Sequence, residues 1–316
     1  MFWHNFEQNH IEKRKALLPL TTASFIWGAS TPLLKWMLLL IPIFLLAFLR
    51  FFSSAILLLL LRPKLRIEKN DIPTIIFASL LGSTFHIPVF FWGLTLTSSI
   101  NASILGATAP LITLLIASFY LKERIKSNLL LGGVIGIAGT SVILLEGLTK
   151  QGLSMSIFGN FLLLASTVSW VFHEMVTKKL FKKYESLTIT FYTSLIGGLT
   201  FLPFAFMDAL KVPPNLIYRP EYLIGIPVSI VFTSTVAYYL WQWGLSKLDV
   251  VRAGFFQYLN PVVGTISSSI FLGEKITNPF VIGTVFIFGG LIIAEKKLHL
   301  PEVHLIHHIL KTSKKL

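Results

Sequence analysis

The chain alternates long apolar stretches with short polar connections. A membrane-spanning helix needs roughly 20 apolar residues to cross about 30 Å of hydrocarbon at about 1.5 Å per residue. Stretches of this length lie at about 17–37, 42–61, 72–94, 99–121, 127–146, 157–178, 186–207, 222–245, 253–272 and 276–296. They are too long and too continuously apolar for the strands of a membrane β-barrel, so the pattern predicts an all-α integral membrane protein with ten transmembrane helices.

Composition supports this class and excludes several others. Hydrophobic residues make up 54% of the 316 residues and charged residues 13%, about half the charged share of an ordinary soluble domain. The net charge of +13 does not indicate a nucleic-acid partner, because the cations sit in short clusters between the apolar stretches. With no cysteine, the chain has no disulfide, thiolate metal site or cysteine nucleophile. We expect no metal and no cofactor.

Lysine and arginine concentrate in every second connection, which predicts the orientation in the membrane. The outer connections hold only Lys150, Lys211, Arg219 and Lys275 if the N-terminus is cytoplasmic. Most of the 27 cations then fall in the inner segments, at 13–15, 62–69, 122–126, 178–183, 247–252 and 296–315. We therefore expect a multi-pass protein of the cell (cytoplasmic or inner) membrane, with both termini in the cytoplasm.

The second half of the chain repeats the first. Residues 88–125 align without a gap with 239–276, and the same register continues into the next stretch. Trp27 in the first stretch matches Trp170 in the sixth at a different offset. The paired positions include Trp92 with Trp243, Pro110 with Pro261, Glu123 with Glu274, Gly132 with Gly283, and Gly139 with Gly290.

Each copy holds five helices, so the second enters the membrane in the opposite orientation. This inversion explains the charge of the motif that follows the fourth and ninth stretches. The first copy, FYLKERIK at 119–126, carries three cations on the predicted inner side, whereas IFLGEKIT at 270–277 carries one on the outer side. Two inverted five-helix repeats, at 17–147 and 157–297, are typical of secondary transporters with a site near the membrane midplane. A cytoplasmic segment, 1–16, precedes them.

These residues resemble the drug/metabolite transporter superfamily, specifically proteins with two EamA-type domains. The resemblance covers about 15–297. It rests on Trp27-Gly28, on Arg50, and on two motifs that run from Pro110 to Arg124 and from Asn260 to Lys275. It implies ten helices, a central cavity walled by both repeats, and transport of a small metabolite or drug. The second repeat departs from the pattern, since Tyr192 and Thr193 stand at the equivalent of Arg50.

Arg50 is the main candidate for the site, because it lies in the middle of the second stretch. A central arginine costs roughly 2.5–3.5 kcal/mol on insertion scales, so it must face protein or a wet cavity. Its planar fork suits a carboxylate or phosphate of the solute. The alternative is a structural arginine that binds backbone carbonyls or a neighbouring helix.

Four further positions combine titratable and aromatic chemistry, and His86, Trp170 and His173 among them are predicted solute contacts. Trp170, His173 and Glu174 share one helical face and correspond to Trp27, Ser30 and Thr31. His173 and Glu174 are proton-coupling candidates, although a surface ion pair from Glu174 to Lys178 explains the carboxylate equally well. His86, near Pro88, is a candidate for proton or solute binding, with a carbonyl freed by the proline as the alternative partner.

The eighth and ninth stretches concentrate polar and aromatic side chains. Tyr238, Gln242 and Gln257 join Trp27 and Trp170 as predicted solute contacts, because a polar aromatic cavity suits planar or amphipathic solutes. Pro110, Glu123, Pro261 and Glu274 are interpreted as structural motif residues at helix ends. Beyond the repeats, 298–316 is predicted to form an amphipathic helix on the cytoplasmic face of the membrane.

The sequence therefore predicts a secondary transporter that works by alternating access, with efflux as the favoured direction and no enzymatic activity. Its expected partners are a small-molecule solute and the lipid bilayer, without nucleic acid, and it acts as a monomer or a homodimer. An importer or exchanger of the same fold, and a non-transporting membrane protein, are the alternatives.

Overall fold

The computed structural model describes residues 2–110, 112–113, 116, 125–150, 154–272, 278–295 and 302–303. These residues are almost entirely helical. The α-helices are α1 (Phe2–Met37), α2 (Ile43–Leu60), α3 (Ile72–Ser79), α4 (His86–Leu96), α5 (Ser99–Gly106), α6 (Ser127–Lys150), α7 (Ser154–Leu180), α8 (Ser186–Ala209), α9 (Ile226–Val228), α10 (Ala237–Lys247), α11 (Val250–Phe255), α12 (Leu259–Leu272) and α13 (Asn278–Glu295).

Five of the described helical segments are long and apolar enough to cross a membrane: Lys15–Met37, Ile43–Leu60, Lys69–Leu96, Ser186–Ala209 and Glu221–Lys247. Two shorter apolar segments lie at Leu130–Gly139 and Val281–Gly290. Every stretch predicted from the apolar pattern is helical over most of its described residues. The regular structure of the described residues is thus helical and membrane-spanning, apart from a two-residue ladder.

Two helical segments contain wider π-helical turns. Leu80–Phe85 joins α3 to α4, while Glu221–Gly225 and Ser229–Val236 lie on either side of α9 and lead into α10. A π-turn displaces backbone carbonyls from the regular α-helical ladder and is frequent at functional sites. The chain therefore places irregular backbone at Leu80–Phe85 and at Ser229–Val236.

Two stretches predicted as single helices are interrupted. The stretch 99–121 turns at residues 107–108 after α5, and 253–272 passes through a 3₁₀ turn, Phe256–Tyr258, between α11 and α12. Pro261 lies in the first turn of α12, where a missing N–H costs nothing. Asp249 begins α11 by accepting a 2.9 Å hydrogen bond from the backbone N–H of Arg252. Glu123 and Glu274 lie outside the described residues.

Close packing joins α6 to α13 through glycines. A Cβ on Gly139 would lie 2.5 Å from the carbonyl oxygen of Gly283, and a Cβ on Gly290 would lie 2.5 Å from that of Gly132. The backbones of the two helices can approach this closely only without side chains at these positions. Helix α2 packs along α8, and α1 contacts both α10 and α12.

Two lysines cap helix ends. Lys35 of α1 donates to the carbonyl oxygen of Thr97, directly after α4. Lys178 of α7 donates to the carbonyl oxygens of Leu245 (2.9 Å), Ser246 (3.2 Å) and Leu248 (2.6 Å), at the end of α10. A cation is favourable at the C-terminus of a helix, where carbonyls lack intrahelical partners.

A polar clasp joins the connection after α2 to the connection between α7 and α8. Lys183 Nζ lies 2.9 Å from Asp71 Oδ2 and 3.2 Å from Glu68 Oε2, and Tyr184 Oη donates to Asp71 at 2.7 Å. Lys64 pairs with Glu185 at 2.5 Å. The hydrogen bonds to Asp71 and Glu68 raise the pKa of Lys183 to about 12.

Of the predicted tail helix at 298–316, only Glu302–Val303 is described. These residues form strand β2, antiparallel to β1 (Ile125–Lys126), with Ile125 opposite Val303 and Lys126 opposite Glu302.

Candidate functional site

A cavity of about 140 Å³ lies among the helices of both halves of the chain. One water needs roughly 10–15 Å³ on this scale, so the cavity has room for a small solute. On α1 it extends from Trp27 to Leu34, towards the Met37 end, and on α4 it extends from His86 to Phe91. The cavity therefore runs from the middle of the helices towards one end of the bundle.

Arg50 lies in the wall of this cavity with only 4% of its surface exposed. Its Nε donates to Ser234 Oγ and its Nη2 to Thr233 Oγ1, both at 2.9 Å. Its Nη1 has no hydrogen-bond partner in the described protein. The guanidinium carbon lies 5.2 Å from the ring centroid of Phe91.

This arrangement orients the arginine without neutralising it. Two hydroxyls from the π-turn Ser229–Val236 hold one edge of the guanidinium, and Phe91 contributes a cation–π contact. A buried donor without a partner costs about 1–3 kcal/mol, and more when charged. The site can recover that cost by binding an anionic group at Nη1.

Three aromatic side chains, those of Trp27, Trp170 and Tyr238, line part of the cavity wall. The Trp27 and Trp170 centroids lie 5.5 Å apart in an edge-to-face arrangement, and Tyr238 lies 5.5 Å from Trp170. Trp27 is fixed by a 3.1 Å hydrogen bond from its Nε1 to the carbonyl oxygen of Thr233. These rings offer a large apolar surface next to Arg50.

His86 also packs on the Trp170 ring, with a centroid separation of 5.3 Å. Its Nδ1 lies 2.8 Å from the carbonyl oxygen of Ser166 on α7. A carbonyl oxygen can only accept, so Nδ1 carries a proton and, in the neutral ring, Nε2 keeps a lone pair. The partner is therefore on a neighbouring helix, and not a carbonyl freed by Pro88.

Glu174 is fully buried, and its described partners are aromatic and amide groups rather than Lys178. Its Oε1 accepts from Trp241 Nε1 at 2.8 Å and from Gln257 Nε2 at 3.1 Å, while Oε2 has no hydrogen-bond partner. The surface ion pair considered as an alternative is wrong, because the carboxylate points into the bundle. Gln257 links it to the cavity.

His173 lies beside Glu174 and is also fully buried. Its Nδ1 donates to the carbonyl oxygen of Ala78 at 2.8 Å, and its Nε2 lies 2.7 Å from Gln242 Nε2 and 3.3 Å from Tyr238 Oη. The Oε1 of Gln242 has no hydrogen-bond partner. His173, Glu174 and Gln242 form a packed layer behind the cavity.

The structure thus brings together Trp27, Arg50, His86, Trp170, Tyr238 and Gln257 in the cavity wall, and keeps His173, Glu174 and Gln242 behind it. Sequence reasoning missed Phe91, Thr233, Ser234 and Asn260. The run Thr233-Ser234-Thr235 inside an apolar stretch is the signal that could have identified the arginine's partners. Pro110 and Pro261 are buried but do not line the cavity.

Comparison with known proteins identifies the family. The EamA-like transporter family matches twice, over residues 14–145 and 157–295. The chain belongs to the EamA-like transporter family. Two family copies in succession agree with the repeat read from the sequence, and the predicted resemblance is confirmed.

Individual relatives agree with the family. The uncharacterized transporter YetK of Bacillus subtilis is 28% identical over 299 residues, which cover 92% of this chain and 89% of the relative. A protein of Streptantibioticus cattleyicolor described as a probable terminal-alkyne amino-acid exporter is 24% identical over 75% of this chain and 76% of its own length. A solved crystal structure has the same fold, with a TM-score of 0.72, 22% identity, and coverage of 89% of this chain and 96% of that one.

Proposed function

We propose that this EamA-like transporter moves a small solute with an anionic or zwitterionic group, which binds Arg50 in the central cavity. The observation that carries the proposal is the buried guanidinium, held on one edge by Thr233 and Ser234, with Nη1 unpartnered in the cavity wall. Trp27, Trp170 and Tyr238 accept the apolar body of the solute, and His86 and Gln257 contribute polar contacts. The residues act in binding and not in catalysis.

The ten helices form two inverted five-helix repeats that alternate in exposing the cavity. Reciprocal contacts support this symmetry: Gly139 meets Gly283, and their repeat counterparts Gly290 and Gly132 meet in the same way. Lys35 donates a hydrogen bond to the carbonyl oxygen of Thr97. At the matching positions of the second repeat, Lys178 donates to the carbonyl oxygen of Leu248. One rigid unit therefore occurs twice, as alternating access between repeats requires.

The irregular backbone follows the same symmetry. The π-turn Leu80–Phe85 corresponds in register to 231–236, within the π-turn Ser229–Val236. Discontinuous helices at matching positions of two repeats mark the binding site of many secondary transporters. Here the second π-turn carries the Arg50 partners, and the first faces His173.

The distribution of the cations supports an N-terminus in the cytoplasm and a location in the cell membrane. The cavity then extends towards the outside, since it follows α1 from Trp27 towards Met37. We favour efflux, which the similarity to a probable terminal-alkyne amino-acid exporter supports. The cargo of that relative is not carried over to this chain.

Energy for transport comes from an ion or solute gradient, with His86, His173 and Glu174 as the proton-coupling candidates. Glu174 supports this role by its geometry: a carboxylate in the bundle, joined through Gln257 to the cavity wall. No group of three or more His, Cys, Asp or Glu side chains that could hold a metal occurs among the described residues.

The test compares metabolites of cells that produce the native protein, the Arg50→Ala variant at matched membrane levels, or an empty vector. Cytoplasm and medium are analysed separately. We expect an anionic or zwitterionic solute to be enriched in the medium with the native protein alone. Enrichment in the cytoplasm would establish import or exchange instead. Equal transport by Arg50→Ala would overturn the role of the guanidinium, and equality with the empty vector would overturn transport.

A further inference from the structure

The cavity extends towards one end of the bundle, although the repeats are related by symmetry. Its lining includes Ser30, Thr31, Phe91 and Thr167. Their counterparts follow from the match of Trp27 with Trp170 and from the alignment of 88–125 with 239–276. They are His173, Glu174, Gln242 and Ser24, in the same order. All four counterparts are completely buried, and none of them lines the cavity.

The counterpart side chains pack against neighbouring side chains and do not line the cavity. Glu174 binds Trp241 and Gln257, and Gln242 approaches His173 within 2.7 Å. Trp241 and Thr177, which are also completely buried, are the counterparts of the cavity residues Phe90 and Leu34. The positions that line the cavity on the Met37 side therefore have counterparts that are buried and packed together on the Lys178 side.

Three residues of this packed layer have a buried polar atom without a hydrogen-bond partner. These atoms are Ser24 Oγ, Glu174 Oε2 and Gln242 Oε1, and Thr193 Oγ1, at the equivalent of Arg50, is also buried without a partner. Buried polar groups are nearly always hydrogen-bonded, so several unpartnered polar atoms in one layer require an explanation. A surface that is solvated in a second conformation explains them all.

We infer that Ser24, His173, Glu174, Thr177, Trp241 and Gln242 line a second cavity, which opens towards the cytoplasm when the first one closes. This inference rests on the proposed function, because it takes the inverted repeats and the N-terminal orientation from it. The second cavity shares Trp27, Trp170 and Arg50 with the first, at the centre of the bundle. It presents a carboxylate and an imidazole where the first cavity presents hydroxyls, so the solute meets different chemistry from the two sides.

The polar clasp is consistent with a closed inner side. Lys183 with Asp71 and Glu68, and Lys64 with Glu185, join the connections on the side where the packed layer lies. Opening the second cavity requires these connections to separate. The exposed ion pairs are individually weak, so they can break within a transport cycle.

The test uses the absence of native cysteine, because any cysteine introduced is then the only thiol. Thr31→Cys reports on the first cavity, and Ser24→Cys and Thr177→Cys report on the second. Ser79→Cys is the matched control: Ser79 is completely buried, and its counterpart Ile230 does not line the cavity. Each variant is labelled with a membrane-impermeant maleimide in right-side-out and in inside-out vesicles.

We expect Thr31→Cys to react from outside only, Ser24→Cys and Thr177→Cys from the cytoplasmic side only, and Ser79→Cys from neither. In the double variant Thr31→Cys/Thr177→Cys, a bulky adduct on the thiol at position 31 holds the first cavity open. Labelling of the thiol at position 177 should then fall about tenfold or more, because the population of the other state is depleted.

The outcomes separate this inference from the proposed function. If Thr31→Cys reacts from outside but Ser24→Cys and Thr177→Cys react from neither side, the second cavity is wrong although the transport proposal stands. If Thr31→Cys fails to react, the open cavity itself is wrong. If every variant is labelled from the side opposite to the expected one, the predicted membrane orientation is wrong, but the two oppositely facing cavities are supported. Equal labelling of Ser79→Cys would mean general loosening and would overturn the inference.

Discussion

Lys35 and Lys178 occupy equivalent positions in the two repeats, and each donates to the carbonyls at the end of an equivalent helix. Lys35 binds Thr97 after α4, and Lys178 binds Leu248 after α10. The first and third helices of each repeat are thus tied together in the same way. In the proposed alternating-access cycle, each tied pair is expected to stay intact.

Arg50→Lys should raise the KM for an anionic solute by about 10- to 100-fold, which corresponds to the loss of roughly 1.5–3 kcal/mol of charge-assisted hydrogen bonding. Lysine keeps the charge but cannot hold Thr233 and Ser234 while presenting a further N–H to the cavity. The measurement is initial transport rate against solute concentration. Unchanged KM and kcat would contradict the role of the planar fork.

Gly139→Ala and Gly290→Ala should each destabilise the protein by about 1–3 kcal/mol, because the added methyl overpacks against backbone that cannot rotate away. The two effects should be similar, since the contacts are reciprocal. Gly289→Ala is the control, because no atom lies within 4 Å of its added Cβ. Thermal unfolding in detergent measures all three. Equal melting temperatures for Gly289→Ala and Gly290→Ala would contradict the reciprocal packing.

Glu174→Gln should remove the dependence of transport on a proton gradient while leaving solute binding in place. Glutamine keeps the acceptor oxygen for Trp241 and Gln257 but cannot take up a proton. Uptake into vesicles with and without an imposed pH gradient measures the effect. Glu185→Gln, an exposed partner of Lys64, is the control and should retain the response. Full gradient dependence in Glu174→Gln and in His173→Ala would show that neither residue couples transport to protons.

Lys183→Met should open the cytoplasmic side more often, which increases the labelling of Thr177→Cys from that side. The ion pairs with Asp71 and Glu68 are lost, and the connections they join can separate more easily. Lys211→Met, at a predicted outer connection, is the matched control and should leave the labelling rate unchanged. A fall in labelling would mean that the clasp favours the inner-open state.

The contribution of Lys183 to the clasp should not change between about pH 6 and 9. Its pKa is raised from the ordinary lysine value to about 12. A raised pKa means that the stabilisation is complete below the ordinary value, about 10.4, and is lost only as the pH rises through the folded value. The ratio of labelling rates between Lys183→Met and the native background, measured at two pH values, tests this, since the ratio cancels the reactivity of the thiol. A ratio that varies with pH would show that another group controls the clasp.

The sequence by itself determined the helical membrane class, the family and its twofold repeat, and it singled out Arg50 as a candidate for the site. These features follow from local composition, periodicity and register, and a charged side chain within an apolar stretch must face protein or a wet cavity. The sequence also placed Trp27 and Trp170 at equivalent positions, but it did not show that the two rings touch.

Only the tertiary structure decided which polar residues face the cavity. Gln257 lines it and Gln242 does not, although both lie among polar and aromatic neighbours in the sequence. Glu174 fits a surface ion pair by its spacing from Lys178, yet Lys178 binds the end of α10 and the carboxylate points inwards. The physical reason is that helical spacing fixes only the face on which a side chain lies. Contacts between helices far apart in the chain fix what that face meets.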